Sequence, residues 1–471
     1  MGGLSSRQQY QLAEARLWRV ALVCGLILGF PGSTLVFAEA AALSGVSTKS
    51  LDVSVSEESF TLKKCLREVL INNALLTESQ LGVEAAGKDV QSAKGKYYPR
   101  ISLEASLTRR GNPAPYIPAQ SATVPAHFSD SYGSWGPTLT IPLYQGGQIS
   151  RNVDLSRLRQ NIQEDMLSLT RNELIANTVN SYHKLLQIQS LRKASQASVA
   201  ALEEERKNVQ QLYDVKRVAR VDLLKVEVQL ANERQRLLSL NEAWSTIAAT
   251  LRSLMGASAQ GIIAPLMLAD SLTQESGPVV SFDDAIQLAH EQRPEYLIAL
   301  KGVQEAKLNK ENAFGKMQPS VNALASYMNQ DGFNPTYNQS DWFVGFGVSL
   351  PIFDRPLYIE LDKQRILYEK AKQHLQVVED KIALEIQVSL LSLAESRERI
   401  TTAEQVIEQA KESFRIEQLR YKTGAGSMSD TLLAQAAYMT AAANYAQALF
   451  DYNTALVGYR TATGTMKEYL K

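Results

Sequence analysis

This chain is written twice, and that constrains its fold more than any other feature. "TLKKCLREVLINNA" (Thr61 to Ala74) aligns with "SFDDAIQLAHEQRP" (Ser281 to Pro294). The match runs without a gap until "AKGKYYPRIS" meets "AFGKMQPSVN", pairing Pro99 with Pro319. Further on, "TIPLYQGG" matches "SLPIFDRP", which pairs Pro142 with Pro351. "YDVKRVARVDLLKV" then matches "YKTGAGSMSDTLLA", pairing Tyr213 with Tyr421 and Asp222 with Asp430, and each copy closes on a glycine, Gly256 or Gly464. Landmarks repeated in one order mean one structural unit repeated. A polar connector containing Gly and Pro separates the copies. The domain reading is therefore a first repeat over 59–256, a linker over 257–280, a second repeat over 281–464 and a tail over 465–471.

Each repeat opens with a helical pattern (Phe60 to Tyr97; Phe282 to Met317) that runs up to a proline, where the missing N–H and the restricted preceding residue end helical structure. After it the period changes to two. In "WFVGFGVSLPIF", Trp342, Val344, Phe346, Val348 and Leu350 share one face, opposed by Phe343, Gly345, Gly347 and Ser349. In the first copy Ile101, Leu103, Ala105 and Leu107 oppose Ser102, Glu104, Ser106 and Thr108. Strand pairs are thus expected at about 100–110 and 135–143, and at about 320–329 and 342–351. A lone hairpin cannot shield such an apolar face in water. Strands of about ten residues suit a tilted bilayer crossing, with Trp135, Trp342 and Tyr98 near their ends as interface anchors. Backbone polar groups in lipid demand a closed barrel. Four strands cannot close one, so several chains must share it.

After each strand pair comes a helical pattern of about 65 residues, roughly 100 Å long at 1.5 Å per residue, too long for a compact domain. The series Ile400, Ala403, Ile407, Ala410, Phe414 steps by three and four, as a coiled-coil seam does, and Leu367, Ala371, Leu375, Val378, Ile382, Ile386 follows helical spacing. Low aromatic content, 7%, and few prolines, 15, agree with a mainly helical chain. Lys+Arg and Asp+Glu balance at 49 each, giving no sign of a nucleic-acid partner. His127, His183, His290 and His374 lie in no metal-ligand spacing, and no nucleophile–base set appears, so no enzyme is expected.

At the start, Arg16 and Arg19 precede "VALVCGLILGF", followed by Pro31-Gly32-Ser33 and "LVFA". This reads as a secretory signal peptide over 1–38, cleaved after Ala38 or Ala40, with a leader over 39–58. Pro31 and Gly32 argue against a membrane anchor, and Val23 before Cys24 argues against acylation there. Only Cys65 would remain in the mature chain, leaving no disulfide or Cys-based zinc site within it.

The duplicated "Y…G…D-x-L" element, the Pro-bounded strand pairs and the terminal glycines together resemble the TolC-type outer-membrane efflux family, from Phe60 to Gly464. The resemblance implies a mainly α fold with a membrane β-barrel: a homotrimer whose chains share a 12-stranded barrel, continued by a tunnel of long coiled-coil helices across the periplasm. It implies the channel of a tripartite efflux pump or type I secretion system, giving passive exit across the bacterial outer membrane with no cofactor. The implied partners are outer-membrane lipid, a periplasmic adaptor (membrane fusion) protein and an inner-membrane transporter of RND or ABC type. The rival is a periplasmic coiled-coil tether without a pore, which would not need "WFVGFGVSLPIF" to face lipid.

On this resemblance the Tyr-to-Asp segments are distal turns where each long helix reverses. Thr423 to Ser429 supply turn residues, and Asp430 is expected to cap the returning helix. Capping alone accounts for Asp222 and Asp430. Alternatively, three copies around an axis form a ring of acids at the entrance, favouring cations. Asp430 matches a gate acid of the family, but Leu433 stands where a second acid is found and Gly426 where a locking Arg is found. The resemblance therefore does not extend to a doubly acidic, Arg-locked gate. The turns are also where adaptors dock in this family. Here the segments are Val215-Lys216-Arg217 and Thr423-Gly424-Ala425, and the basic pair signals either a different adaptor or ordinary solvated charges.

Overall fold

The computed structural model describes residues 59–470 apart from 118, 120–124, 259–260, 262–265, 278 and 334–335. The signal peptide and leader lie outside the described residues. In the first half the elements are β1 (Ser59–Phe60), α1 (Leu62–Asn72), α2 (Ala74–Gly95), β2 (Arg100–Ile117), β3 (His127–Gln145), α3 (Gln148–Asp214) and α4 (Arg220–Leu254). After β4 (Met267–Leu268), the second half gives α5 (Phe282–Gln292), α6 (Pro294–Gly315), β5 (Ser320–Phe333), β6 (Thr336–Ser349), α7 (Arg355–Lys422), α8 (Met428–Thr463) and a 3-10 turn (Met466–Leu470). Corresponding helices have nearly equal lengths: 11 and 11, 22 and 22, 67 and 68, 35 and 36 residues.

The chain divides into two compact units, a strand unit (Tyr98–Leu143 with Val321–Val348) and a helical unit (Glu57–Tyr97, Tyr144–Ser320 and Ser349–Lys471). In the helical unit α7 and α8 pack through Leu393, Ile400, Leu449, Tyr452 and Leu456, and Phe414 stacks on Tyr438 further along. Ile382 and Ile386 are buried beside Ala285 and Ala289 of α5, whereas Leu367, at the start of that series, is exposed. A second core joins α1, α3 and α4 through Cys65, Val69, Leu174, Tyr182, Leu185 and Leu251. Burial pushes the Cys65 thiol up to about 12, with the Asp270 charge adding to it, so it is an inert packing group. No described helix is long and apolar enough to cross a membrane.

The structure corrects the sequence reading of the opening helix. What reads as one run is broken in both copies, at Asn73 (φ −74°, ψ 125°) and at Arg293 (φ −80°, ψ 118°). Asn73 caps α2 by accepting from the Leu75 N–H at 2.9 Å, while its amide donates to the Leu254 carbonyl at 2.8 Å. Arg293 precedes Pro294, which disfavours helix there, and its buried guanidinium pairs with Glu295 and Glu385 and reaches the Ala462 carbonyl at 3.5 Å. Leu254 and Ala462 are equivalent positions at the ends of α4 and α8, so each break locks onto the end of its own closing helix. That explains the terminal glycines. Gly256 and Gly464 have φ of 77° and 78°, and an added Cβ would lie 2.5 Å from the Asn72 oxygen or 2.9 Å from the Gln292 carbonyl carbon.

In the strand unit the sheet order is β2-β3-β5-β6, with β2 and β3 antiparallel and in register from Arg100↔Thr140 to Arg109↔Ser131. The strands run to 18, 19, 14 and 14 residues, well beyond the ten or so expected. The extensions are polar, such as Thr108 to Asn112 and Thr336 to Asp341, and lack the apolar alternation that marks a strand in sequence. Trp135 and Trp342 consequently lie within strands rather than at their ends, where the polar extension gives way to the apolar stretch. At about 3.3 Å per residue, β2 spans roughly 60 Å, more than a tilted bilayer crossing requires. The edge strands carry the exposed apolar faces: Ile101 (74%) and Leu107 (63%) on β2, and Val344, Phe346 and Val348 (70–76%) on β6.

Candidate functional site

The two long helices end in the same motif. At the end of α7, Gly424 takes φ 77° and donates to the Tyr421 carbonyl at 3.0 Å, while the Ala425 N–H reaches the Arg420 carbonyl at 2.8 Å. This is a Schellman closure, which satisfies carbonyls that the helix end leaves free. At the end of α3, Lys216 donates to Tyr213 and Arg217 to Leu212, both at 2.8 Å. Here the left-handed position is held by Lys216, at φ 59°, the one non-glycine with positive φ among the described residues. For an L-residue that conformation costs about 1 kcal/mol or more.

The restarts differ as well. α8 is capped by Ser427, whose Oγ accepts from the Asp430 N–H at 3.1 Å and donates to the Asp430 carboxylate at 2.7 Å. Asp430 is therefore not the cap but the third helical residue of a capping-box sequence, its carboxylate taking the Ser427 hydroxyl in place of the backbone N–H, a correction of the sequence reading. α4 begins after Ala219, which has no capping side chain, and Asp222 N–H bonds only the Ala219 carbonyl at 3.1 Å. The Asp222 carboxylate instead lies 3.9 Å from Lys225, so it is not a cap either.

The two turns form one packed body. Val209, Leu223, Val226 and Met428 are buried together, with Tyr213, Val218, Tyr421 and Leu432 against them. Lys225 of α4 crosses to Ser429 of α8 at 2.6 Å. Val215, Lys216, Arg217, Thr423, Gly424 and Ala425 are all exposed; Asp430 is exposed and Asp222 half-buried. The structure brings both aspartates to the starts of the two returning helices. Glu205 is held above the usual carboxylate range by burial, opposed in part by Lys422. Burial, then the charges of Glu205 and Asp222, push the Tyr421 hydroxyl up, and that hydroxyl has no hydrogen-bond partner among the described residues.

Sequence reasoning missed Ser427 and the Lys225–Ser429 bridge. The first was readable, since Ser427-Met428-Ser429-Asp430 is a capping-box pattern. The second depends on residues 204 positions apart and has no local signal. Among the described residues no group of His, Cys, Asp and Glu is arranged to hold a metal ion.

The family model described as outer membrane efflux protein matches residues 65–257 and 285–465. The fold is similar to that of the outer membrane protein VceC of Vibrio cholerae, with TM-score 0.73 and 17% identity over 86% of this chain and 96% of that one. It is also similar to the CmeC outer membrane channel of Campylobacter jejuni, with TM-score 0.71 and 18% identity over 87% and 89% of the two chains. A membrane protein of Pseudomonas aeruginosa gives TM-score 0.73 and 16% identity over 86% and 90%. No curated protein sequence matches the chain.

Proposed function

The chain belongs to the outer membrane efflux protein family, and from that premise we propose that three copies of it close one barrel, that its paired turns receive a periplasmic adaptor, and that Asp430 and Asp222 line the entrance. Proteins of this family are the outer-membrane channels of tripartite efflux pumps, and this chain is such a channel rather than an enzyme, with its helical part in the periplasm.

The observation that carries the shared barrel is the sheet itself. Its outer strands, β2 and β6, bear the most exposed apolar side chains of the sheet, so a single copy would present two greasy edge strands to any solvent. A poreless tether has no use for such a sheet. The helices support the same reading through the duplication. Leu384, Val388 and Leu391 of α7 step at coiled-coil spacing and are 53–64% exposed. Their counterparts on α3 are smaller or more polar yet less open, Ala176 and Asn180 half-buried and His183 buried, 3.1 Å from Glu275. Larger apolar residues at positions that stand open on α7, where their α3 counterparts are better covered, are the arrangement of a face completed by a neighbouring copy.

The exposed turns supply the adaptor surface, and an inner-membrane transporter of RND or ABC type completes the pump. The deciding experiment is purification from outer membranes in detergent, followed by mass determination and planar-bilayer conductance. A trimer that conducts is expected. A soluble monomer, or a trimer that never conducts even with its turns loosened, would end this reading.

A further inference from the structure

The second turn is an internal control for the first, and the first departs from it at three places. Where α7 ends on Gly424, α3 ends on Lys216 in the same left-handed conformation. Where Ser427 caps α8, Ala219 leaves α4 without a side-chain cap. Where α8 begins with Met428, α4 begins with Arg220, a cation at the positive end of the helix dipole. Each change is unfavourable to local structure. Between Asp214 and Lys225 there are four basic and two acidic residues, against one of each between the equivalent Lys422 and Leu433. Lys216, Arg217 and Arg220 are exposed, and none has a carboxylate within ion-pair distance among the described residues. The nearby acids are engaged elsewhere: Asp214 accepts from Gln210 at 2.8 Å and Asp222 faces Lys225.

A chain that keeps the local rules at one turn and breaks them at its twin retains the departures for something other than folding. We propose that the first turn docks a protein partner that presents two or more carboxylates to Lys216, Arg217 and Arg220, while the second turn makes an uncharged contact. The two turns of each chain are then not interchangeable. The inference rests on the reading of these turns as docking points and names the chemistry of what one of them accepts. The Arg217 and Arg220 guanidinium groups offer planar forks suited to carboxylates, and Lys216 adds a point charge. At an exposed rim such charges act mainly on encounter rate and partner choice. A partner that engages every turn must therefore carry two kinds of contact.

The test places the photo-crosslinking residue p-benzoylphenylalanine at Val215 or Thr423 of the full chain in its own cells, then sequences whatever is attached after irradiation. The Val215 probe is expected to capture a peptide of a second protein with at least two carboxylates close to the attachment point. Lys216→Gln with Arg217→Gln is expected to lower that adduct by about tenfold, the effect of roughly 1.4 kcal/mol, and to spare the Thr423 adduct. Lys216→Gly with Arg217→Gln removes the same charges while relaxing the backbone, so its agreement excludes misfolding as the cause. A captured peptide without acids, a glycan, a second copy of this chain, or a yield indifferent to the charges would overturn the proposal. An adduct at Thr423 alone would overturn it while leaving the docking reading intact. No adduct at either position would sink the docking reading itself.

Discussion

Converting the first turn into its twin should stabilise it, and the size of the gain follows from the geometry. In Lys216→Gly the left-handed residue at φ 59° becomes one with no Cβ penalty. The relief of about 1–2 kcal/mol is offset in part by glycine's larger entropy loss, leaving roughly 0.5–1 kcal/mol. In Ala219→Ser the new hydroxyl can accept from the Asp222 N–H, as Ser427 Oγ accepts from Asp430 at 3.1 Å, and such caps contribute about 1 kcal/mol. Together they should reduce local opening of the turn by roughly tenfold to thirtyfold, since 1.4 kcal/mol is a factor of ten. Hydrogen exchange read by mass spectrometry on the detergent-purified protein measures this directly, because turns open locally without global unfolding. The amides of residues 216–222 should slow by that factor, while those of residues 424–430 stay unchanged. The reverse exchange, Gly424→Lys with Ser427→Ala, should hasten the second turn by a similar factor. If neither swap alters exchange at its own turn, the attribution of strain to Lys216 and of a missing cap to Ala219 is wrong.

Other outcomes follow from the same contacts. Asp430→Asn should lower cation selectivity and weaken block by multivalent cations in planar bilayers; unchanged selectivity would leave Asp430 a capping-box residue alone. Glu205 is held above its ordinary value by burial, so its contribution favours the folded tip while protonated and is lost as pH rises from the unfolded carboxylate value through the folded one. Glu205→Gln should therefore slow exchange at the tips of α3 and α7 near neutral pH and do nothing at about pH 4; an equal effect at both would refute the assignment. Gly256→Ala sets a methyl 2.5 Å from the Asn72 oxygen at a φ of 77°, and a loss of about 2–4 kcal/mol should appear as a lowered thermal midpoint and poorer trimer yield.

Much of the fold was legible because its determinants are local. Pro99 and Pro319 end helices wherever they stand, the alternation in "WFVGFGVS" reads as strand without reference to anything distant, and the glycines after α4, α7 and α8 are demanded by positive φ. What stayed hidden depends on partners far along the chain. Asn73 breaks its helix by reaching the end of α4, which no window around it contains, whereas the break at Arg293 has a local signal in Pro294 beside its reach to the end of α8. The polar extensions of β2, β3, β5 and β6 escaped because they lack the apolar period by which strands are recognised. At the candidate site the positions were legible and the roles were not. Asp430 was identifiable as the acid that follows the turn, but its place in the capping box depended on Ser427, and the apparent equivalence of Asp222 dissolved once Lys225 was seen beside it.

The duplication resolves a question that a single sequence ordinarily leaves open, namely whether an unusual residue is tolerated or required. Lys216, Ala219 and Arg220 each admit a bland explanation singly, since one strained lysine or one absent cap is common enough. Gly424, Ser427 and Met428 occupy the same positions of the same motif in the same chain, so the fold has a better local solution and uses it one repeat away. The same comparison separates the faces of the long helices. Leu391 would pass for an ordinary coiled-coil leucine, but its counterpart His183 is buried against Glu275 within one chain while Leu391 stands open. Two copies that diverge under one set of backbone demands differ where their surroundings differ. The proposed surroundings are a neighbouring chain along α7 and, at the tip of α3, a partner with acid to offer.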